Sequence, residues 1–313
     1  MSINLLSTTN NYQRDITLTG KGWIIAAVIG TFVWLGYTYR TAIGLWGINK
    51  AVVLTTNASI ERNVAFGEAP WQLLDIYSQP QAAPVVIFIY GGSWSSGKKS
   101  EYAFVADAFY RKGYTVVIPD YAKYPDVTYP TFVEDVAAAI AWTFKNIAKD
   151  TNQPLYLAAH SAGAHSAALV SSDAGYLQTH ELTPSVITAF AGLAGPYNFT
   201  PEDPQYVKTF GKDNFTDMKA NTHVSGNEPS TLLLHAKGDE IVAMKNALSF
   251  EDALQKENVY VETAFFPESL NHIDMVLQLH PWFENDHQIL GAIDQFFTTQ
   301  THKHDTNSRT SKL

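Results

Sequence analysis

The pentad Ala159-His160-Ser161-Ala162-Gly163 places one hydroxyl between small residues, where the apolar run 154–160 gives way to the slim stretch AGAHSAAL. This is close to G-x-S-x-G, in which a serine takes a strained backbone in a strand-to-helix turn and the flanking residues must be small for strand and helix to approach. Ala159 stands in place of the first glycine and is still small. The amides that open the following helix favour negative charge beside the hydroxyl. Alone, the pentad also fits a turn that merely packs a helix onto a sheet.

A serine becomes a nucleophile when a base takes its proton and a carboxylate orients the base. Asp239 closes the run TLLLHAKGD and His272 follows VETAFFPESLN, so both come after strands, in the chain order Ser, Asp, His. Other readings stay open, since Asp239 could cap the next helix and His272 could be a surface residue. Weaker candidates are Glu240, one residue off the strand end, and Asp274, inside an apolar run. His280, His302 and His304 lie in or near the C-terminal helix and tail, and His235 sits within a strand as a core histidine.

Acyl transfer also needs donors for a developing oxyanion. In IYGGSWSSG, residues 89–97, the amides of Gly92 and Ser93 would complete such a hole with that of Ala162. Gly91 allows the turn, and Gly91 and Trp94 are the candidate substrate-binding residues; Tyr121, Tyr124 and the stretch 204–215 are candidate pocket walls. The chemistry requires no metal and no cofactor.

These residues need a scaffold that brings strand ends together. The runs at 83–90, 114–120, 154–160, 185–195, 231–239 and 261–267 are short, apolar and rich in β-branched or aromatic residues. Between them lie helical patterns at 100–113, 132–148 and 244–258, the second with Val133, Val136, Ala137, Ile140 and Ala141 on one stripe. Continuous apolar strands alternating with helices predict a mostly parallel central sheet with helices on both faces, an α/β fold with its chemistry at the carboxyl ends of the strands.

At 313 residues, with 46% hydrophobic and 16% charged, the chain suits one large α/β domain. A net charge of -9 argues against nucleic acid as a partner. The absence of cysteine removes disulfides, thiolate catalysis and Cys-type zinc sites, and leaves the redox compartment open. The reading is a polar segment 1–22, an anchor 23–39, a linker 40–54, a catalytic domain 55–299 and a disordered tail 300–313.

The anchor is the uncharged run WIIAAVIGTFVWLGYTY, bracketed by Lys21 and Arg40 with Trp and Tyr near its ends. At about 1.5 Å per residue it spans roughly 25 Å, at the short end of what crosses a bilayer. A single-pass anchor is the preferred reading, at the inner membrane if the source is bacterial. The alternatives are a cleaved signal peptide, leading to a secreted or periplasmic protein, and a docked helix. The flanking charges balance and do not set an orientation. The C-terminal SKL equals a peroxisomal address but is too short to carry weight.

From about 58 to 298 the chain resembles the α/β-hydrolase fold, in the branch of bacterial carboxylesterases related to hormone-sensitive lipase and kynurenine formamidase. The resemblance rests on YGGSWSSGKK where the family has H-G-G-x-W, on VVIPDYAKYPDVTYPTFVEDVAAAIAW, on HSAGAH, on GLAGPYNF, and on the Asp239 and His272 loops. It implies Ser161 as nucleophile, Asp239 as acid, His272 as base, Gly91 to Ser93 as oxyanion loop, and a small carboxylic ester as substrate. An amidase or formamidase with the same triad, and a non-catalytic membrane-attached binding protein on the same fold, are the alternatives. Two departures stand out: Tyr90 replaces the usual His before the glycines, and Ala159 the first elbow glycine. Lys123 also differs from the common residue before YP, with no consequence evident from sequence.

Overall fold

In the computed structural model, the described residues are 47–149, 153–283 and 288–310, with side chains described up to 301. The polar segment 1–22 and the apolar run 23–39, and with them the expected N-terminal hydrophobic helix, lie outside these residues. Among the described residues no helix is long and apolar enough to cross a membrane.

Eight strands form one sheet in the order β1-β2-β4-β3-β5-β6-β7-β8. The central ones are β3 (Val85–Ile89), β4 (Thr115–Pro119), β5 (Leu155–His160) and β6 (Ala189–Leu193), and every residue in them is buried. Successive side chains point to opposite faces, so full burial means both faces are covered, as the sequence pattern predicts. β7 (Ser230–Ala236) and β8 (Val261–Phe266) continue the parallel ladder.

Two antiparallel strands precede these and have no counterpart in the sequence reading: β1 (Ser59–Ala65) and β2 (Leu73–Ser78). β1 is an edge strand, polar and mostly exposed, with a bulge between Glu61 and Val64, so it offers no apolar run to find.

Helix α1 (Ala103–Arg111) packs against β2, β3 and β4. Helices α2 (Thr131–Thr143) and α3 (Ala162–Ser172) pack on each other and on the central strands, while α4 (Lys245–Lys256) lies against β7 and β8.

Both ends of the domain extend past the expected boundaries. Residues 47–55, mostly assigned to the linker, are helical. The Asn49 side chain donates to the Glu101 carbonyl (2.7 Å) and accepts from the Phe104 amide (3.1 Å), which ties this helix to the start of α1. The last helix, α5, runs Ile289–Thr310, through most of the stretch expected to be disordered. No glycine or proline occurs after Gly291 to stop it.

Candidate active site

Loops at the carboxyl ends of β3, β5, β7 and β8 carry the candidate residues. Ser161 sits between β5 and α3 with φ +55° and ψ −125°, a region sparsely populated by residues with a side chain. Its amide donates to the Leu193 carbonyl of β6 at 2.9 Å, which fixes the turn. A Cβ on Gly163 would stand 2.3 Å from the Ile89 carbonyl oxygen and 2.4 Å from that of Tyr90. Only glycine lets α3 come this close to β3. Ala159 is fully buried, and its register partner on β6 is Gly192, which contributes no side chain beside it.

The Ser161 hydroxyl lies 2.8 Å from His272 Nε2, and His272 Nδ1 lies 2.7 Å from Asp239 Oδ2. With Nδ1–H donating to the carboxylate, Nε2 presents its lone pair to the hydroxyl. The other oxygen of Asp239 accepts from the amides of Ile241 (2.9 Å) and Val242 (2.8 Å). Asp239 does not cap α4, whose N-cap is Met244 with no side-chain cap; its second oxygen instead holds the turn that follows β7. Burial would raise the Asp239 pKa, but hydrogen bonds from His272, Val242 and Ile241 outweigh it and hold the group below the usual carboxylate range.

The competing residues lie elsewhere. Glu240 is exposed, and Asp274 accepts from the Asn271 amide at 2.9 Å. His280 pairs with Asp107 at 3.2 Å, and His235 is a core residue 2.9 Å from the Val242 carbonyl. The side chains of His302 and His304 are outside those described.

Gly92, Ser93 and Trp94 all have positive φ, at +133°, +53° and +56°. Among the described residues the N–H groups of Gly92, Ser93 and Ala162 have no protein acceptor. That of Ala162 is free because it opens α3. The Gly92 carbonyl accepts from the amides of Ser95 and Ser96, which closes the loop. A Cβ on Gly91 would be 2.8 Å from Ser161 Cβ, so this backbone lies directly against Ser161.

Trp94 is a candidate substrate-binding residue in the sequence. Only 3% exposed, it stacks on Phe199 (5.5 Å) and meets Phe210 (4.8 Å), His165 (5.1 Å) and Tyr206 (5.7 Å) edge-on. A left-handed φ turns it into this cluster, which anchors the loop. Tyr121 is likewise enclosed, its hydroxyl donating to the Tyr90 carbonyl at 2.8 Å.

Sequence reasoning passes over several neighbours. His160 Nε2 lies 3.0 Å from the His272 carbonyl and its ring 4.8 Å from the His272 ring, linking the Ser161 turn and the His272 loop. Burial, aided by the nearby His272, lowers the His160 pKa to about 3, so it stays neutral and donates. Ile241 and Ile273, close to Asp239 and His272, are 68% and 40% exposed. The one signal for His160 was a polar residue closing an otherwise apolar strand. Among the described residues no cluster of three or more His, Asp or Glu side chains is placed to hold a metal ion.

The mostly parallel sheet, the strained serine and its hydrogen-bonded histidine and aspartate define an α/β-hydrolase. The BD-FAE family model matches residues 74–254, more than half of the chain, and the protein belongs to that family. It is similar to the Arabidopsis thaliana protein named "Probable isoprenylcysteine alpha-carbonyl methylesterase ICMEL1", at 24% identity over 76% of this chain and 54% of that one. Esterase LipC of Mycobacterium tuberculosis is 28% identical over 62% of this chain and 55% of its own. The chain thus spans about half the length of these curated relatives. A phosphonate-inhibited crystal structure of esterase B from Lactobacillus rhamnosis shares the fold, with a TM-score of 0.68 and 19% identity over 93% of this chain and 99% of that one.

Proposed function

We propose that the protein hydrolyses small carboxylic esters through an acyl-enzyme on Ser161. The observation that carries this reading is the unbroken hydrogen-bonded series Ser161–His272–Asp239 beside the unpartnered amides of Gly92, Ser93 and Ala162. The names of the relatives support an ester over an amide substrate.

His272 Nε2 takes the Ser161 proton as Oγ attacks the ester carbonyl carbon, and the carbonyl oxygen becomes an oxyanion facing the three amides. The C–O bond to the leaving group then breaks, and the alcohol departs with the proton held on His272. Water attacks the acyl-enzyme by the same route, giving the acid and restoring Ser161. Asp239 fixes the imidazole tautomer and offsets its charge when protonated.

A fluorophosphonate probe should label the wild-type protein and leave Ser161→Ala unlabelled but folded. Of a panel of p-nitrophenyl esters and N-formyl or aryl amides, the short esters should turn over fastest. Labelling that persists in Ser161→Ala removes the nucleophile assignment, and faster turnover of the amides replaces esterase by amidase.

The uncharged run 23–39, flanked by Lys21 and Arg40, supports a second part of the reading, that the chain is held at a membrane. The full chain should stay with membranes through carbonate washing, while a chain lacking residues 1–45 should be soluble and active. Release of the full chain by carbonate would end the anchor idea.

A further inference from the structure

We infer that Tyr90, Asp120 and Lys123 form a clamp that positions the oxyanion loop. This inference rests on the esterase reading above. The loop's working parts are backbone amides, held at three successive left-handed residues, and they need support from outside the loop.

Tyr90 is fully buried immediately before Gly91. Its ring lies between those of Tyr102 (5.0 Å) and Tyr121 (4.9 Å), and Gly97 closes the loop against it, where a Cβ would meet the ring at 2.9 Å. The Tyr90 hydroxyl donates to Asp120 Oδ1 at 2.5 Å and accepts from Lys123 Nζ at 2.9 Å. Burial, with Tyr121 and Asp120 alongside, pushes its pKa well up, so it remains a donor.

Asp120 Oδ1 also accepts from the Lys99 amide at 2.8 Å, just beyond the far end of the loop. One carboxylate oxygen therefore ties the residue before the loop to the residue after it. Lys99 Nζ is fixed in turn by Asn63 Oδ1 (2.6 Å) and Asp75 Oδ1 (3.2 Å), which carries the support into β1 and β2. Lys123 completes the clamp by donating to the Tyr121 carbonyl at 2.7 Å.

These groups lie behind the loop, so they are positioning residues. Loosening them should lower the rate of the chemical step more than substrate binding, because oxyanion donors act most strongly in the transition state. With p-nitrophenyl butyrate, Tyr90→Phe in the full chain should lower kcat per titrated Ser161 by about tenfold or more, with KM within about threefold. Asp120→Ala should act similarly, and the double variant should be little worse than either single one, as expected of groups acting as a unit. Asp120→Asn keeps an oxygen that can accept from both donors and should recover most of what Asp120→Ala loses.

A kcat per titrated site within about twofold of wild type in Tyr90→Phe, while the wild type is labelled and active, overturns the clamp and leaves the esterase reading intact. An unlabelled, inactive wild type instead removes the reading beneath it. If Tyr90→Phe does not fold, equal activity of Asp120→Ala and Asp120→Asn per titrated site overturns the clamp by itself.

Discussion

The Asp239 and His272 loops are held largely by side chains of their own turns, whereas the loop Gly91 to Trp94, closed on itself at the Gly92 carbonyl, is braced by side chains from other elements. Asp239 is fixed by the amides of Ile241 and Val242, and beside His272 the Asn271 side chain accepts from Ile273 and Asp274. Gly91 to Trp94 instead depend on Tyr90, Asp120 and the aromatic rings around Trp94. A side chain can do chemistry at one atom and grip its own turn with another. A backbone amide has no side-chain atom to spare, so beyond the Gly92 carbonyl that closes the loop its support comes from other elements.

The hardest test of the local half is Asp239→Asn. It keeps an oxygen for the two turn amides but loses the carboxylate facing His272, so kcat should fall on the order of 10⁴-fold while the melting temperature barely moves. A loss under tenfold, or a collapse of the fold, would mean that the Asp239 turn is not held as described. For the other half, Gly91→Ala brings a methyl to within 2.8 Å of Ser161 Cβ. Steady-state kinetics should show kcat reduced on the order of 10²-fold, comparable with removing one oxyanion donor. Unchanged kinetics would show that the loop is free to retreat and that its distant support is loose.

A smaller effect concerns His165, under Trp94, and His160. Burial lowers their pKa values from 6.5 to about 4 and about 3, respectively, the His160 shift being aided by His272. The unfolded chain takes up protons below about pH 6.5 that the folded protein refuses, so this stability is complete above 6.5 and is lost as the pH falls from there to about 4 for His165 and about 3 for His160. Thermal melts should show this decline, and His165→Gln, which can still donate to the Met218 carbonyl, should flatten part of it. An identical pH slope in the variant would separate His165 from the acid response.

The same contrast explains what could be read from the chain. Ser161, Asp239 and His272 announce themselves because each follows an apolar strand and sits in a short turn whose spacing is visible locally. The central strands are legible for the same reason, as continuous apolar runs, while β1 is polar and exposed and leaves no such trace. The cluster around Trp94 is not legible, because its partners Phe199, Tyr206 and Phe210 come from a distant segment and no spacing rule joins them. Tyr90 and Lys123 are visible as departures from the family pattern, but the Tyr90 hydroxyl meets Lys123 and Asp120 only once β3 and β4 pair.

The backbone at Ser161 sets catalysis against durability. Its φ of +55° with ψ −125° suits glycine, and a side chain held there costs about 1–3 kcal/mol. Glycine would relieve that strain while giving back about 0.5–1 kcal/mol through its freer unfolded chain. Ser161→Gly should thus yield a dead enzyme with a higher denaturation midpoint than the wild type, a variant that selection for persistence alone would favour.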